Sequence, residues 1–289
     1  MLSDRTSEHV YKGRDPILLS NLILSPQHSI LTQSYDSRLR LDTRRPHNGD
    51  GFGIGYYTPP SLGSDPCIFT STIPAWNCVN LSRLASKTQS SLIFAHVRAT
   101  TEGTLSDANC HPFCYGNLMF MHNGGIANWT HVKRTLAFEI GETWFNAVHG
   151  STDSEWAFAL FLDCLERDGY HPDTEEFSRS GFGHMTLRNA LLRTIKRINC
   201  FVTQSQIPHS EEEGVDGRSL LNFAVTDGHT VVCTKYVSSK TDEAASLYFS
   251  SGTNWKFTGD KGQFKMERRD KGADIVLVAS EPLTFERGM

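Results

Sequence analysis

The chain alternates short apolar runs with polar punctuation over most of its length, and the runs are the length of strands. Ser91 to Arg98 is apolar apart from its ends and one histidine, and Asn117 to His122 repeats that form, so both read as buried strands. Gly51 to Tyr57 follows the turn-forming Asn48-Gly49-Asp50 and reads as a third. Leu220 to Thr226 and Thr230 to Tyr236 flank Asp227-Gly228, which predicts a hairpin. Leu247 to Ser250 and Asp274 to Ser280 complete the expected strands. The pattern changes period in the middle. Trp156, Phe158, Leu160, Phe161, Cys164 and Leu165 recur at helical intervals behind Thr152-Asp153-Ser154-Glu155, whose spacing predicts Thr152 as N-cap and Glu155 as its capping-box partner. A second helix is expected over Met185 to Ile198 and a shorter one over Leu81 to Lys87, while Thr203 to Gly217 reads as an exposed loop.

Strands, then helices, then strands again predict an α+β fold with two antiparallel sheets face to face and helices outside, not a doubly wound βαβ fold. No internal repeat or Pro-rich linker divides the chain, so residues 1–289 are expected to form a single domain. Its 289 residues are 38% hydrophobic and 21% charged, which excludes a disordered or fibrous chain. The net charge of -4 gives no general attraction to nucleic acid or to an anionic membrane. No apolar stretch approaches the length of a membrane span, and Met1 to Glu8 has no apolar signal core. Seven dispersed cysteines then suggest reduced thiols and a cytoplasmic protein.

Three places could carry chemistry. His122-Asn123-Gly124-Gly125 ends an apolar strand, and a carboxamide donor beside glycines is what an oxyanion hole requires. An ordinary Asn-Gly turn is the plain alternative. Arg98 emerges from another buried strand and could hold a carboxylate bidentately, or form a structural ion pair. Asp153 stands in the first turn of the central helix, where the helix dipole alone would favour it. Together Arg98 and Asp153 offer the cation and anion that an α-amino acid needs, with Asn123 and Gly124 facing a carbonyl. Cys110, His111 and Cys114, with His96 and His122, are zinc-ligand types, but their spacing fits no closed zinc site, and no metal or cofactor is expected. Asn48 to Gly55 is Gly-rich but lacks the Lys of a phosphate loop and leads into a strand.

These motifs resemble those of one family. Arg44 to Gly55, Pro74 to Asn77, Phe94 to Ala99, Asn109 to Phe113, Phe120 to Ile126, Gly150 to Glu155 and Ser280 to Thr284 look like the class II glutamine amidotransferases. Among them they are most similar to the fungal amidotransferase subunits of cytosolic glutathione degradation. The resemblance implies the N-terminal-nucleophile fold, a four-layer αββα sandwich. It also implies hydrolysis of the γ-glutamyl amide of glutathione or glutamine, in glutathione catabolism, with a peptidase-like partner subunit. By this likeness Arg98 would hold the substrate α-carboxylate, Asp153 the α-ammonium, and Asn123 with Gly124 the oxyanion.

The family nucleophile is a cysteine at the mature N-terminus, activated by its own α-amine. Counting back from Lys12-Gly13 sets its place at Thr6, and Leu2 to Val10 look unlike the apolar first strand the fold needs. The resemblance also implies more chain beyond Met289. Three readings of the missing cysteine stand open. The chain could have another beginning that carries the cysteine. It could be a catalytically inactive, γ-glutamyl-binding subunit. Or it could be rescued, by cleavage behind Arg5 that exposes Thr6 or by Cys110 with a nearby histidine.

Overall fold

A computed structural model describes residues 6–37, 48–99, 105–205, 217–259, 262–267 and 272–284. Its first sheet is built from β1 (Ser7–Leu18), β2 (Phe52–Tyr56), β3 (Cys67–Ser71), β4 (Gln89–Val97), β9 (Tyr248–Gly252) and β12 (Ile275–Ala279), in the order β3-β2-β4-β1-β12-β9. The second contains β5 (Phe113–Tyr115), β6 (Leu118–Gly125), β7 (Leu220–Thr226) and β8 (Val231–Cys233), in sequence order. A two-stranded ribbon joins β10 (Asn254–Phe257) to β11 (Phe264–Glu267). Every pairing is antiparallel.

Side-chain alternation sorts these strands into layers. Val10, Leu92 and Phe94 of the first sheet meet Met119, Met121 and Ala224 of the second in one inner core. The opposite face of the first sheet, with Tyr11, Ile54, Ile93, Ala95 and Leu277, is covered by α1 (Ser20–Ile23), α2 (Ile30–Tyr35) and α3 (Val79–Ala85). Phe120, Phe223 and Val225 on the outside of the second sheet pack against the remaining helices. Those are α4 (Trp129–Glu139), α5 (Glu142–Asn146), α6 (Asp153–Arg167), α7 (Glu175–Ser180) and α8 (His184–Gln204). The layers run helix, sheet, sheet, helix, the expected αββα sandwich. Close approach of the two sheets needs Gly53 on β2, because a Cβ there would lie 2.0 Å from the His111 carbonyl oxygen.

The pattern-based expectations hold for the apolar strands and the long helices and fail at the polar beginning. Ser7 to Val10, expected to be unsuited to a first strand, pair fully in β1: Ser7 lies opposite Val97, Glu8 opposite His96 and His9 opposite Ala279. A central strand gains backbone hydrogen bonds on both sides, and these override the polarity of its side chains. Thr152 caps α6 as expected, accepting from the Glu155 N–H at 3.4 Å. Its reciprocal partner does not return the bond, because the Glu155 carboxylate accepts instead from the N–H groups of His149 and Gly150 at 2.8 and 2.6 Å. Helices α4 and α5 and the edge strands β3 and β5 carry no strong periodic signal and were not foreseen. Thr203 and Gln204 belong to the end of α8, and Glu211 to Glu213 lie outside the described residues.

Candidate active site

The β1–β4 ladder sets Ser7 opposite Val97, so Thr6 precedes and Arg98 follows its last pair, and the Arg98 N–H donates to the Gly51 carbonyl at 2.9 Å. Alternation puts Thr6 and Glu8 on the same face as Val10, and His96 and Arg98 on the same face as Phe94. All four therefore point between the sheets, and each is at most 2% exposed. The first sheet thus contributes a buried guanidinium beside the head of its central strand.

The second sheet contributes the end of β6. Asn123 is buried, and its Nδ2 donates to the Ser280 hydroxyl at 2.8 Å. That same oxygen accepts from the Glu8 N–H at 3.1 Å, so one atom joins the end of β6 to the head of β1. Gly124 follows with φ +149, and a Cβ there would sit 1.8 Å from the Leu220 carbonyl oxygen. Only glycine fits where β6 turns over its neighbour.

Asp153 holds the next stretch of backbone. Its Oδ2 accepts from the Ile126 N–H at 2.7 Å, while the Ser154 hydroxyl donates to Oδ1 at 3.3 Å. The turn is held on its other side by Ser219, which accepts from the Ala127 N–H at 3.0 Å. His122 is fixed by the same corner: its Nε2 donates to the Leu220 carbonyl at 2.9 Å, and its Nδ1 is hydrogen-bonded with the Ser154 hydroxyl at 3.0 Å. The loop before α6 is clamped by Asn109, whose Oδ1 accepts from the Ser151 N–H at 2.8 Å. Asp153 therefore arrives at the end of β6 on a fully braced helix start.

Residues 27–196 match the family described as class-II glutamine amidotransferases. The chain is 53% identical to the probable glutamine amidotransferase DUG3 of Saccharomyces cerevisiae over 281 residues, covering 96% of this chain and 76% of that protein. The chain belongs to the class II glutamine amidotransferases. A gamma-glutamyl-hercynylcysteine sulfoxide hydrolase of Mycobacterium tuberculosis is 30% identical over 114 residues, 38% of this chain and 45% of that relative. The solved structure of a glutamine aminotransferase class-II domain protein from Silicibacter pomeroyi superposes with a TM-score of 0.58 at 22% identity. That superposition covers 95% of this chain and 88% of the other, and what the two share is the fold.

Class II amidotransferase motifs account for the remaining polar residues between the sheets. His96 and His111 pack with ring centroids 4.0 Å apart and planes tilted by 50°, and His111 is held well below the usual imidazole range by burial and by the charges of His96, His122 and Arg98. It stays neutral at physiological pH. Cys110 is buried, with its sulfur 3.7 Å from the carbonyl oxygens of Ser71 and Ser106. Burial pushes its thiol up to about 11 even though Arg98 acts in the other direction, so it is not a poised nucleophile. Cys114 is exposed on β5, away from these histidines, and the described residues contain no group of three ligands that could hold a metal. No helix among them is long and apolar enough to cross a membrane. Of the family motifs, Arg44 to His47 lie outside the described residues.

Ser280 and the Asn109–Glu155 clamp were not singled out as functional residues in the sequence. Ser280 lies 157 residues from Asn123 and 272 from Glu8, so no local pattern links them.

Proposed function

We propose that this chain is a single class II amidotransferase domain that binds γ-glutamyl amides, glutamine or glutathione, and cleaves them from a nucleophile at the head of β1. The observation that carries the reading is the joining of Asn123 to β1 through Ser280, one strand away from the buried Arg98. It supports the reading by tying a carboxamide donor to the head of β1, with a buried guanidinium at the end of the neighbouring strand and Asp153 bonded three residues past Asn123.

Arg98 takes the α-carboxylate, because a buried guanidinium offers two parallel N–H donors to a planar anion. Asp153 takes the α-ammonium. The γ-carbonyl then lies toward Asn123 and Gly124. Attack on its carbon forms a bond from the nucleophile and moves negative charge onto the oxygen, where the Asn123 Nδ2 and the Gly124 N–H receive it. Collapse breaks the C–N bond and releases ammonia from glutamine or cysteinylglycine from glutathione. Water then releases glutamate from the acyl intermediate. The acceptor of the amine, if not a proton, belongs to another chain; a peptidase-like partner and a cytoplasmic setting complete the reading.

The nucleophile is the point at which a second reading gains support. Thr6 occupies its place, and chain flanks Thr6 on both sides, so its nitrogen is a peptide nitrogen and cannot act as the base. This observation favours a γ-glutamyl-binding subunit for the form of the chain that carries Thr6. Glutamate release from glutamine and from glutathione, followed with intact-mass detection of a γ-glutamyl adduct, separates the two. Turnover with an adduct at the head of β1 supports cleavage; saturable binding with no glutamate release supports the binding subunit. In an active form, Arg98→Ala raises KM about tenfold or more, whereas Asn123→Ala lowers kcat about a hundredfold. Unchanged binding and rate in both variants overturns the assignments.

A further inference from the structure

The last strand of the first sheet ends at a side chain that no catalytic role has yet absorbed. Ser280 follows β12 and has no exposed surface. Its backbone is fixed twice: its N–H donates to the Glu8 carbonyl at 3.0 Å, and its own carbonyl accepts from the Ser246 hydroxyl at 2.9 Å. The next residue, Glu281, is anchored through the buried His28 at 2.9 Å. A serine held this way has little freedom, so its hydroxyl oxygen is a fixed point in the frame of β1. That oxygen accepts from both the Glu8 N–H and the Asn123 Nδ2, which uses its two lone pairs.

We propose that Ser280 is a positioning residue for the Asn123 carboxamide. Resting on the reading of Asn123 as an oxyanion donor, this inference assigns Ser280 the distance and orientation of that donor relative to the head of β1. A carboxamide on a strand end can rotate about its last torsion, which is broad and roughly two-fold. One of its N–H bonds is spent on Ser280, and the planar amide then aims the other in a single direction. The two sheets are separate hydrogen-bonded units in contact through side chains. The Tyr57 hydroxyl also joins them, to the Asn117 carbonyl, but only the Asn123–Ser280 bond fixes the donor itself, and its loss would let the carboxamide shift relative to the nucleophile. An error of an ångström there is costly to the rate.

The full chain tests this in two ways. In 15N-labelled protein, the side-chain amide pair of Asn123, located by its loss in Asn123→Asp, should exchange with solvent at least about tenfold faster in Ser280→Ala than in the parent. Ser280→Thr, which keeps the hydroxyl, should stay within about twofold of the parent. In a form that turns over, Ser280→Ala should lower kcat about tenfold with KM within about twofold, and Ser280→Thr should restore most of the loss. Equal exchange in parent and Ser280→Ala overturns the proposal whether or not the chain is an enzyme. A rise in KM matching the fall in kcat also overturns it, because that pattern reports a general loosening of the site. A parent that releases no glutamate removes the cleavage reading while the exchange result still decides the role of Ser280.

Discussion

Two corners of the same cleft are built in opposite ways. At the end of β6 and the start of α6, each polar group serves a neighbour: Asp153 holds the Ile126 N–H, Ser219 the Ala127 N–H, and His122 is bonded through both nitrogens. At the head of β1, four consecutive polar residues, Thr6 to His9, are likewise buried. There Thr6 Oγ1, Ser7 Oγ and His9 Nδ1 find no hydrogen-bond partner among the described residues. The first corner is internally satisfied. The second has the backbone of one and the side chains of an exposed segment. A buried polar group without a partner costs about 1–3 kcal/mol, so this corner draws stability from the rest of the fold.

The contrast can be broken most sharply at Gly124. Gly124→Ala drives a Cβ into the Leu220 carbonyl oxygen at a positive φ and should cost about 3 kcal/mol or more, seen as a large fall in Tm or loss of soluble protein. Near-parental stability would mean that the end of β6 is looser than its geometry indicates. Next in size is Asp153→Ala. It strips the acceptor from the Ile126 N–H and should cost about 2 kcal/mol in denaturant unfolding, together with loss of γ-glutamyl binding.

The other corner answers to pH. Burial, aided by the charge of His28, lowers His9 to about 3, while the unfolded chain titrates near 6.5. The unfolded state therefore binds more protons between those values, and stability falls as pH drops from about 6.5 toward 3. The loss from His9 alone is about 2 kcal/mol at pH 5. Neutral His111 acts in the same direction. His9→Leu should flatten this slope in unfolding curves taken at pH 7 and pH 5, and an unchanged slope would place the sensitivity elsewhere. Smallest is Thr6→Val, which removes a buried hydroxyl that has no partner among the described residues and should raise stability by about 1 kcal/mol. A loss of stability on that change would reveal a bond that Thr6 makes in solution.

Much of the architecture was legible along the chain because burial is written in short-range patterns. The alternation of β4 and β6 and the helical recurrence from Trp156 to Leu165 each follow from how one element presents its own apolar face. Edge strand β3 and helix α4 escaped because few of their residues are buried, only Val132 and Leu136 in α4 and none in β3. Arg98, Asn123, Gly124 and Asp153 could be named individually as residue types at element ends, and their family roles came from motif order. The polarity of Leu2 to Val10 argued against a first strand, yet Ser7 to Val10 form β1, and the buried unpartnered atoms of Thr6, Ser7 and His9 are what that polarity leaves behind.

What the sequence by itself determined is the period of each element, the composition of the cores and the chemical types available to the site. Tertiary structure alone decided that Ser7 lies opposite Val97 and that Ser280 links Glu8 to Asn123. The division has one cause. Side-chain burial and helix capping act over a few residues, whereas strand order brings together residues hundreds of positions apart through backbone hydrogen bonds that carry no trace of side-chain identity.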